Sequence, residues 1–388
     1  MNRRRFVQGI VATAAAPLAA RLYAAPGESR FLLVFLRGGY DATSVLVPLS
    51  SAFYYESRPN IAIPREGALP LDAEWGLHPA LRDTVYALYE KREAAFVPFA
   101  GTEDLSRSHF ETQDTIELGQ PLGRSRNYQS GFMNRLAGAL GATRAIAFTN
   151  QLPVAFRGEA QVANVALRLV GKSGVDARQS ALIGEMYAGN ALGTQVTAGF
   201  AARDEVMREL GTEMEAAGRN AINARGFEQQ ARRIARLMKS QFNLGFLDIG
   251  GWDTHVGQGA ASGYLATRLE ELGHGVAAIA DELGPAWRDT VVCVLSEFGR
   301  TFRENGNRGT DHGHGTVYWF LGGAVRGGAV RGEQVKLERA TLFQDRDYPV
   351  LNEYRALLGG VFARLYALDA ARLERIFPGT AARDLALI

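Results

Sequence analysis

This sequence predicts an α/β fold: a three-layer αβα sandwich around a mostly parallel sheet. Two observations carry the prediction. Five apolar runs of strand length are spread along the 388 residues, at 31–36, 94–99, 244–249, 290–295 and 316–321. Their near-continuous apolar character marks strands covered on both faces, as in parallel sheets. Segments with helical apolar spacing lie between the runs, and such alternation places helices on both sides of one sheet.

In chain order, Phe31 to Leu36 forms the first run and stops at Arg37-Gly38-Gly39. Leu81 to Lys91 is helical by the spacing of Leu81, Val85 and Leu88. Ala94 to Phe99 is the second run. Residues 145–175 read differently, with short strand-like pieces (AIAFTN, NVALRLV) broken by Gly and Pro. They predict a β-rich insertion within one domain. Phe227 to Phe242 is a helix with Phe227, Ile234, Leu237, Met238 and Phe242 on one face. Its basic stretch ARRIARLMKS is then a solvated face rather than a nucleic-acid or membrane surface. Leu244 to Ile249 is the third run, and Leu265 to Leu283 is helical. Thr290 to Leu295 and Thr316 to Leu321 are the fourth and fifth runs, and a helix spans Glu353 to Leu368.

Composition narrows the class. An apolar content of 47% with 22% charged residues is that of a globular protein, and a net charge of +2 gives no reason to expect nucleic acid. The single cysteine, Cys293, rules out an internal disulfide and a cysteine metal cage. The N-terminus reads as an address. Arg3-Arg4-Arg5-Phe6-Val7 fits a twin-arginine export signal, followed by an alanine-rich stretch and a small-residue region where cleavage after Ala24 or Ala25 fits. The expectation is a leader at 1–25 and a single mature domain at 26–388. It implies the twin-arginine translocase as a transient partner and a periplasmic or secreted location. No later run is long enough for a stable membrane anchor.

In open α/β sheets, sites form beyond the carboxyl ends of the strands. Four polar clusters directly follow a predicted strand: RGGYDATS with Asp41, GTEDLSRSHFETQD with Ser106, Ser108 and His109, GGWDTH with Asp253 and His255, and SEFGRT with Glu297. A fifth, DHGHG with His312 and His314, precedes one. Imidazole nitrogens beside carboxylate oxygens suit zinc, manganese or iron. Asp41, Asp253, His255, Glu297, His312 and His314 are therefore candidate ligands for a divalent metal. Each has a structural alternative: a helix N-cap for Asp41, an Asx turn for Asp253 and His255, a Glu297–Arg300 pair, and a glycine-rich loop for the two later histidines. Ser108 opens a capping-box pattern with Glu111. A hydroxyl at a helix N-terminus also suits a nucleophile, so Ser108, Arg107 and His109 form a candidate catalytic group. Arg107 and Arg124 would supply charge for a phosphate or sulfate. Phosphate-loop, dinucleotide and nucleophile-elbow motifs are absent.

The segments FLRGGYDATSVLVPL, LHPAL, SRSHFETQD, GGWDTH, SEFGRT and GTDHGHG resemble those of a bacterial exported family, domain of unknown function 1501. The resemblance covers nearly the whole mature chain. That family is distantly similar to the alkaline phosphatase and sulfatase superfamily. The resemblance implies an alkaline-phosphatase-like sandwich with two metal positions around a nucleophile. Matched by position, Asp41 stands for the first-strand metal aspartate, and Ser108 or Ser106 for the nucleophile. Asp253 and His255 stand for the Asp and His of one metal site, Glu297 for the acid after the next strand, and His312 or His314 for the late histidine. The chain departs from that pattern. Asp253-x-His255 replaces Asp-x-x-x-His, and Glu297-Phe298 replaces Asp-His. Phenylalanine cannot ligate, so one metal (zinc or manganese) or none is expected instead of two. The sulfatase C/S-x-P-x-R signature is missing, which argues against a formylglycine sulfatase. The implied function is an exported metal-dependent hydrolase of small phosphate or sulfate esters. The alternative is a non-catalytic exported binding protein that keeps the sandwich.

Overall fold

A computed structural model describes residues 29–166 and 226–388, except positions 124 and 142, with a few positions between 185 and 196. The leader, Arg124 and the end of the 145–175 stretch lie outside the described residues. Within them the main sheet has nine strands: β1 (Arg30–Leu36), β2 (Ala94–Gly101), β3 (Ala145–Ala147), β4 (Val162–Asn164), β5 (Leu244–Ile249), β6 (Thr290–Ser296), β7 (Thr316–Leu321), β8 (Ala329–Val330) and β9 (Asn352–Glu353). All five apolar runs are strands. Across the sheet the order is β8-β2-β7-β6-β1-β5-β3-β4, with β9 also on β2. All pairings are parallel except those of β7, which runs antiparallel to both β2 and β6.

Helices cover both faces of this sheet. On one side lie α1 (His109–Leu118), α2 (Phe132–Leu140), α5 (Tyr354–Tyr366) and α6 (Ala370–Ile376). On the other lie α3 (Gly226–Ser240) and α4 (Tyr264–Leu283). Successive side chains of a strand point to opposite faces. In β1, Phe31, Leu33 and Phe35 enter the core under α1, α2, α5 and α6, while Leu32, Val34 and Leu36 enter the core under α3 and α4. Each such side chain, fully buried, contributes roughly 1.5–3 kcal/mol of transfer free energy. This double burial is why the run has no polar residue. In α3, Phe227, Ala231, Ile234, Ala235, Leu237 and Met238 are buried, so the basic residues are its outer face.

The described part of the 145–175 stretch supplies β3 and β4. Both are parallel and extend the main sheet beyond β5. A small antiparallel sheet of Leu46–Pro48, Leu69–Pro70 and Trp75–Leu77 packs beside the main one. Its strands have only two or three residues, too short for any periodicity. No helix among the described residues is long and apolar enough to cross a membrane.

The reversal of β7 explains the placement of DHGHG. Strands β1, β2, β5 and β6 deliver the segments that follow them to one sheet edge. An antiparallel strand delivers its preceding segment to that same edge.

Candidate metal centre

Gly38 and Gly39 let the loop after β1 approach its neighbours. Both have positive φ, +125° and +60°. A Cβ on Gly38 would lie 2.8 Å from the Asp253 nitrogen, and one on Gly39 would lie 2.4 Å from the Phe298 ring. Only glycine gives this close packing.

Glu297, just beyond β6, is wholly buried. Its Oε1 accepts from the Gly38 backbone N–H (2.9 Å), from Gln113 Nε2 (2.8 Å) and from His109 Nδ1 (2.7 Å), and the Ser296 hydroxyl donates to Oε2 at 2.9 Å. Burial alone would raise the Glu297 carboxyl. The hydrogen bonds from His109, Gln113 and Gly38 outweigh it and hold the group below its ordinary value. Glu297 is therefore an ionised acceptor with its oxygens committed. It accepts from His109 and so orients that ring, and Arg300 is not its partner.

Arg300 instead donates to Asp253 Oδ1 at 2.6 Å, while its other nitrogens reach the Thr310 hydroxyl and carbonyl. Asp253 makes no Asx turn. Around its carboxylate stand His255 Nε2 at 2.9 Å and His312 Nε2 at 3.3 Å from Oδ1, and His109 Nε2 at 3.5 Å from Oδ2. Burial pushes the Asp253 carboxyl up, but Arg300, His255 and His109 together hold it below its usual value.

The opposite nitrogen of each ring faces an acceptor. His109 Nδ1 meets Glu297, His255 Nδ1 meets Asp311 Oδ1 at 3.2 Å, and His312 Nδ1 meets the Arg107 carbonyl at 3.0 Å. Each Nε2 in turn faces an Asp253 oxygen, so both sides of each ring meet an acceptor, and a cation at the cluster would leave the proton on Nδ1 and the Nε2 lone pair free to ligate. The Nε2 atoms of His255 and His312 lie 3.1 Å apart. His109 Nε2 is buried and makes no hydrogen bond. His109, Asp253 and His312 each offer a donor atom within 4.8 Å of the others, with His255 against Asp253 and His312. Phe298 packs tilted against His109 and His312 with ring centres 4.9 and 5.1 Å away. The hydrogen bond to Glu297, foremost, raises the His109 pKa, whereas burial and the neighbouring His109 charge lower that of His312.

The structure brings together Asp253, His255 and His312, and it places His109, read from the sequence in the catalytic group, beside them. Two predicted ligands are elsewhere. Asp41 is fully buried and gives Oδ2 to Arg58 Nη1 (2.5 Å), the Ser44 hydroxyl (2.7 Å) and Gln258 Nε2 (2.6 Å), and Oδ1 to Arg58 Nη2 (3.0 Å). It stands at the N-cap of a four-residue helix without capping it. His314 is buried, packs on Phe343, and has its pKa lowered to about 4 by burial and by Arg107. Its neighbour in the H-x-H pattern points into the cluster alone.

The catalytic group also changes. Arg107 turns its guanidinium onto Asp347 and Gln344, so it contributes its carbonyl to the cluster and not its charge. Ser108 occupies the N-cap of α1, but its side chain makes no cap hydrogen bond, and Glu111 pairs with Arg126 at 2.6 Å. The capping box is not formed. Ser106 accepts from the Ser108 backbone N–H at 3.3 Å. Sequence reasoning missed Gln113 and Asp311 as orienting groups. Asp311 adjoins His312 within the DHGHG motif, and Gln113 lies within SRSHFETQD four residues after His109, so both stood in segments already singled out.

The fold and this cluster define an αβα-sandwich protein with a histidine-rich centre at the carboxyl edge of its parallel strands. The chain belongs to the family described as Protein of unknown function (DUF1501), which it matches over residues 28–377. No curated protein is detectably similar to it in sequence. Among solved structures it is similar to Ps i-CgsB in complex with k-i-k-neocarrahexaose, at 10% identity and a TM-score of 0.39, over 91% of this chain and 74% of that one. It is similar to the lipoteichoic acid synthase LtaP from Listeria monocytogenes at 10% identity and a TM-score of 0.38, over 93% and 76%. A protein in the alkaline phosphatase superfamily from Vibrio parahaemolyticus shows 13% identity and a TM-score of 0.34, over 76% and 60%. Likenesses this distant say nothing of substrate, and the functional reading rests on the geometry.

Proposed function

We propose that the cluster holds one divalent transition metal, zinc or manganese, and that the protein is an exported hydrolase of phosphate or sulfate esters. The observation that carries the reading is the convergence of three imidazole Nε2 atoms on the Asp253 carboxylate while each Nδ1 faces an acceptor. The donor set fits a metal. The Nε2 atoms of His255 and His312, 3.1 Å apart, can share either a proton or a cation, and the buried His109 Nε2 makes no hydrogen bond. Mixed nitrogen and carboxylate donors are those of zinc or manganese.

His109, Asp253 and His312 would hold the ion, with His255 as a fourth donor. A bound divalent metal supplies Lewis acidity toward water and the ester oxygens. The protein's own groups do the positioning: Glu297, Asp311 and the Arg107 carbonyl fix the ring orientations. Arg300 occupies one side of Asp253, and Phe298 presents only carbon to the cluster, so the arrangement supports one metal and not two. Ser108, beside His109 in the chain, is the candidate nucleophile, with water as the alternative. Export is supported by the Arg3-Arg4-Arg5-Phe6-Val7 pattern.

One observation favours a second reading, a non-catalytic exported binding protein. Arg107, the expected anion-binding cation, is locked onto Asp347. The test is to purify the folded protein, measure its metal content, and screen phosphate and sulfate esters with the parent, Asp253→Ala and Ser108→Ala. About one metal per chain, lost in Asp253→Ala, together with turnover, supports the hydrolase. Bound metal without turnover supports the binding protein. Metal-free protein that stays inactive after zinc or manganese addition sinks the hydrolase reading.

A further inference from the structure

We propose that Arg107 is a positioning residue whose clamp on Asp347 holds its backbone in a left-handed conformation, so that its carbonyl fixes which nitrogen of His312 faces Asp253. The consequence for metal affinity rests on the metal reading above; the consequence for the His312 ring does not.

Arg107 has φ +51°, in the left-handed region that side chains with a Cβ adopt uncommonly and at a cost. Here the surroundings hold it from two directions. Its Nε and Nη2 both donate to Asp347 Oδ2, at 3.0 and 2.7 Å, and Nη2 also donates to Gln344 Oε1 at 2.7 Å. The Asp347 carboxylate is wholly buried, and Arg346 also donates to it. The Arg107 carbonyl accepts from His312 Nδ1 at 3.0 Å.

These two grips fall on one block. Asp347 bridges Thr301, Thr301 N–H donates to the Asp311 carbonyl at 2.9 Å, and Arg300 bridges His312. Arg107 therefore holds, with its side chain and its main chain, the block that carries His312. A carbonyl can only accept, so at 3.0 Å it draws the ring proton to Nδ1, against the Asp253 oxygen 3.3 Å from Nε2. His109, two residues further on, has its own Nδ1 on Glu297. The short segment from Arg107 to His109 thus sets the orientation of two donor rings.

A staple that served only stability would not select a tautomer, and this is what the experiment reads. In metal-free protein at mildly alkaline pH, long-range proton–nitrogen NMR of the imidazoles reports which His312 nitrogen carries the proton. The parent shows the Nδ1–H form. Arg107→Ala and Asp347→Asn should give a mixture, and Arg107→Gly, which adopts positive φ without strain, should recover part of the Nδ1–H form. Cobalt(II), followed by its visible absorption, should bind Arg107→Ala and Asp347→Asn about 10–100-fold more weakly than the parent, with Arg107→Gly between them. Should those variants fail to fold, Gln344→Ala removes one guanidinium partner and should shift both readouts less, in the same direction. A His312 tautomer unchanged in the variants that fold overturns the proposal. A parent that shows the Nδ1–H form but binds no cobalt overturns the metal reading and leaves the positioning role standing.

Discussion

Glu297 and His109 lie 188 residues apart in the chain and share a 2.7 Å hydrogen bond. The carboxylate is buried and held ionised by its donors, so it receives the Nδ1 proton and leaves the far side of the ring facing Asp253. A residue expected to bind a metal thus positions a ring that faces the cluster. Glu297→Gln keeps the size but weakens the acceptor. Metal affinity measured by chelator competition should fall about 10–100-fold, the usual cost of losing a group that orients a ligand. Unchanged affinity would reduce Glu297 to a packing residue.

Asp41 and Arg58 form a buried ion pair that the cluster does not use. Breaking such a pair leaves an uncompensated charge, so Asp41→Asn should cost about 3–5 kcal/mol in urea unfolding near neutral pH. Burial pushes the Asp41 carboxyl up, but Arg58, Ser44 and Gln258 hold it net below its ordinary value. A depressed folded-state pKa gives stability that is fully present above the unfolded value, roughly 3.9, and is lost as pH falls through the folded one. The parent should therefore lose stability below about pH 4. Asp41→Asn should show a flatter acid limb.

Gly39→Ala would place a Cβ 2.4 Å from the Phe298 ring at a backbone φ of +60°. Overpacking together with the left-handed penalty should destabilise the protein by roughly 2–4 kcal/mol. Because Phe298 packs against His109 and His312, metal affinity should fall with it. A thermal melt and a chelator titration on the same sample check both. A stable variant with displaced metal affinity would show that Phe298 tunes the cluster independently of the fold.

Ser108 sits at a helix N-cap where a serine usually contributes about 1 kcal/mol. Its side chain makes no cap hydrogen bond. Ser108→Ala should accordingly change stability by less than about 0.5 kcal/mol. With an active ester in hand, a loss of turnover at unchanged melting temperature assigns the attack to this hydroxyl. Retained turnover assigns it to water.

Much of the fold was legible because burial on both faces writes itself into sequence. Phe31 to Leu36 and Thr290 to Leu295 have apolar side chains in unbroken series, and the sheet places them side by side in register, Phe31 beside Val291. The direction of β7 was not legible, since strand orientation depends on the path of the connection and not on strand composition. The gathering of polar residues at one sheet edge was readable in GGWDTH and DHGHG, whose polar residues stand among glycines next to apolar strands. Individual roles were not. Asp41 and Asp253 both follow strands, and only tertiary contacts show that one is consumed by Arg58 and the other gathers histidines. A Glu297–Arg300 pair was the alternative to a metal ligand at Glu297, because Arg300 follows three residues later. The fold gave each a different partner.

The parallel sheet also dictates a sequence of events in time. The central strand β1 has β5 and β6 as its neighbours, with Phe31 beside Leu244 and Val291. Until those late segments exist, the first strand of the domain has no sheet to join, and both its edges can pair with other chains. Contacts this remote make folding slow and leave it to the nearly complete chain. His109 and His312 meet only when that assembly finishes, so the ion would select finished molecules and could not guide unfinished ones.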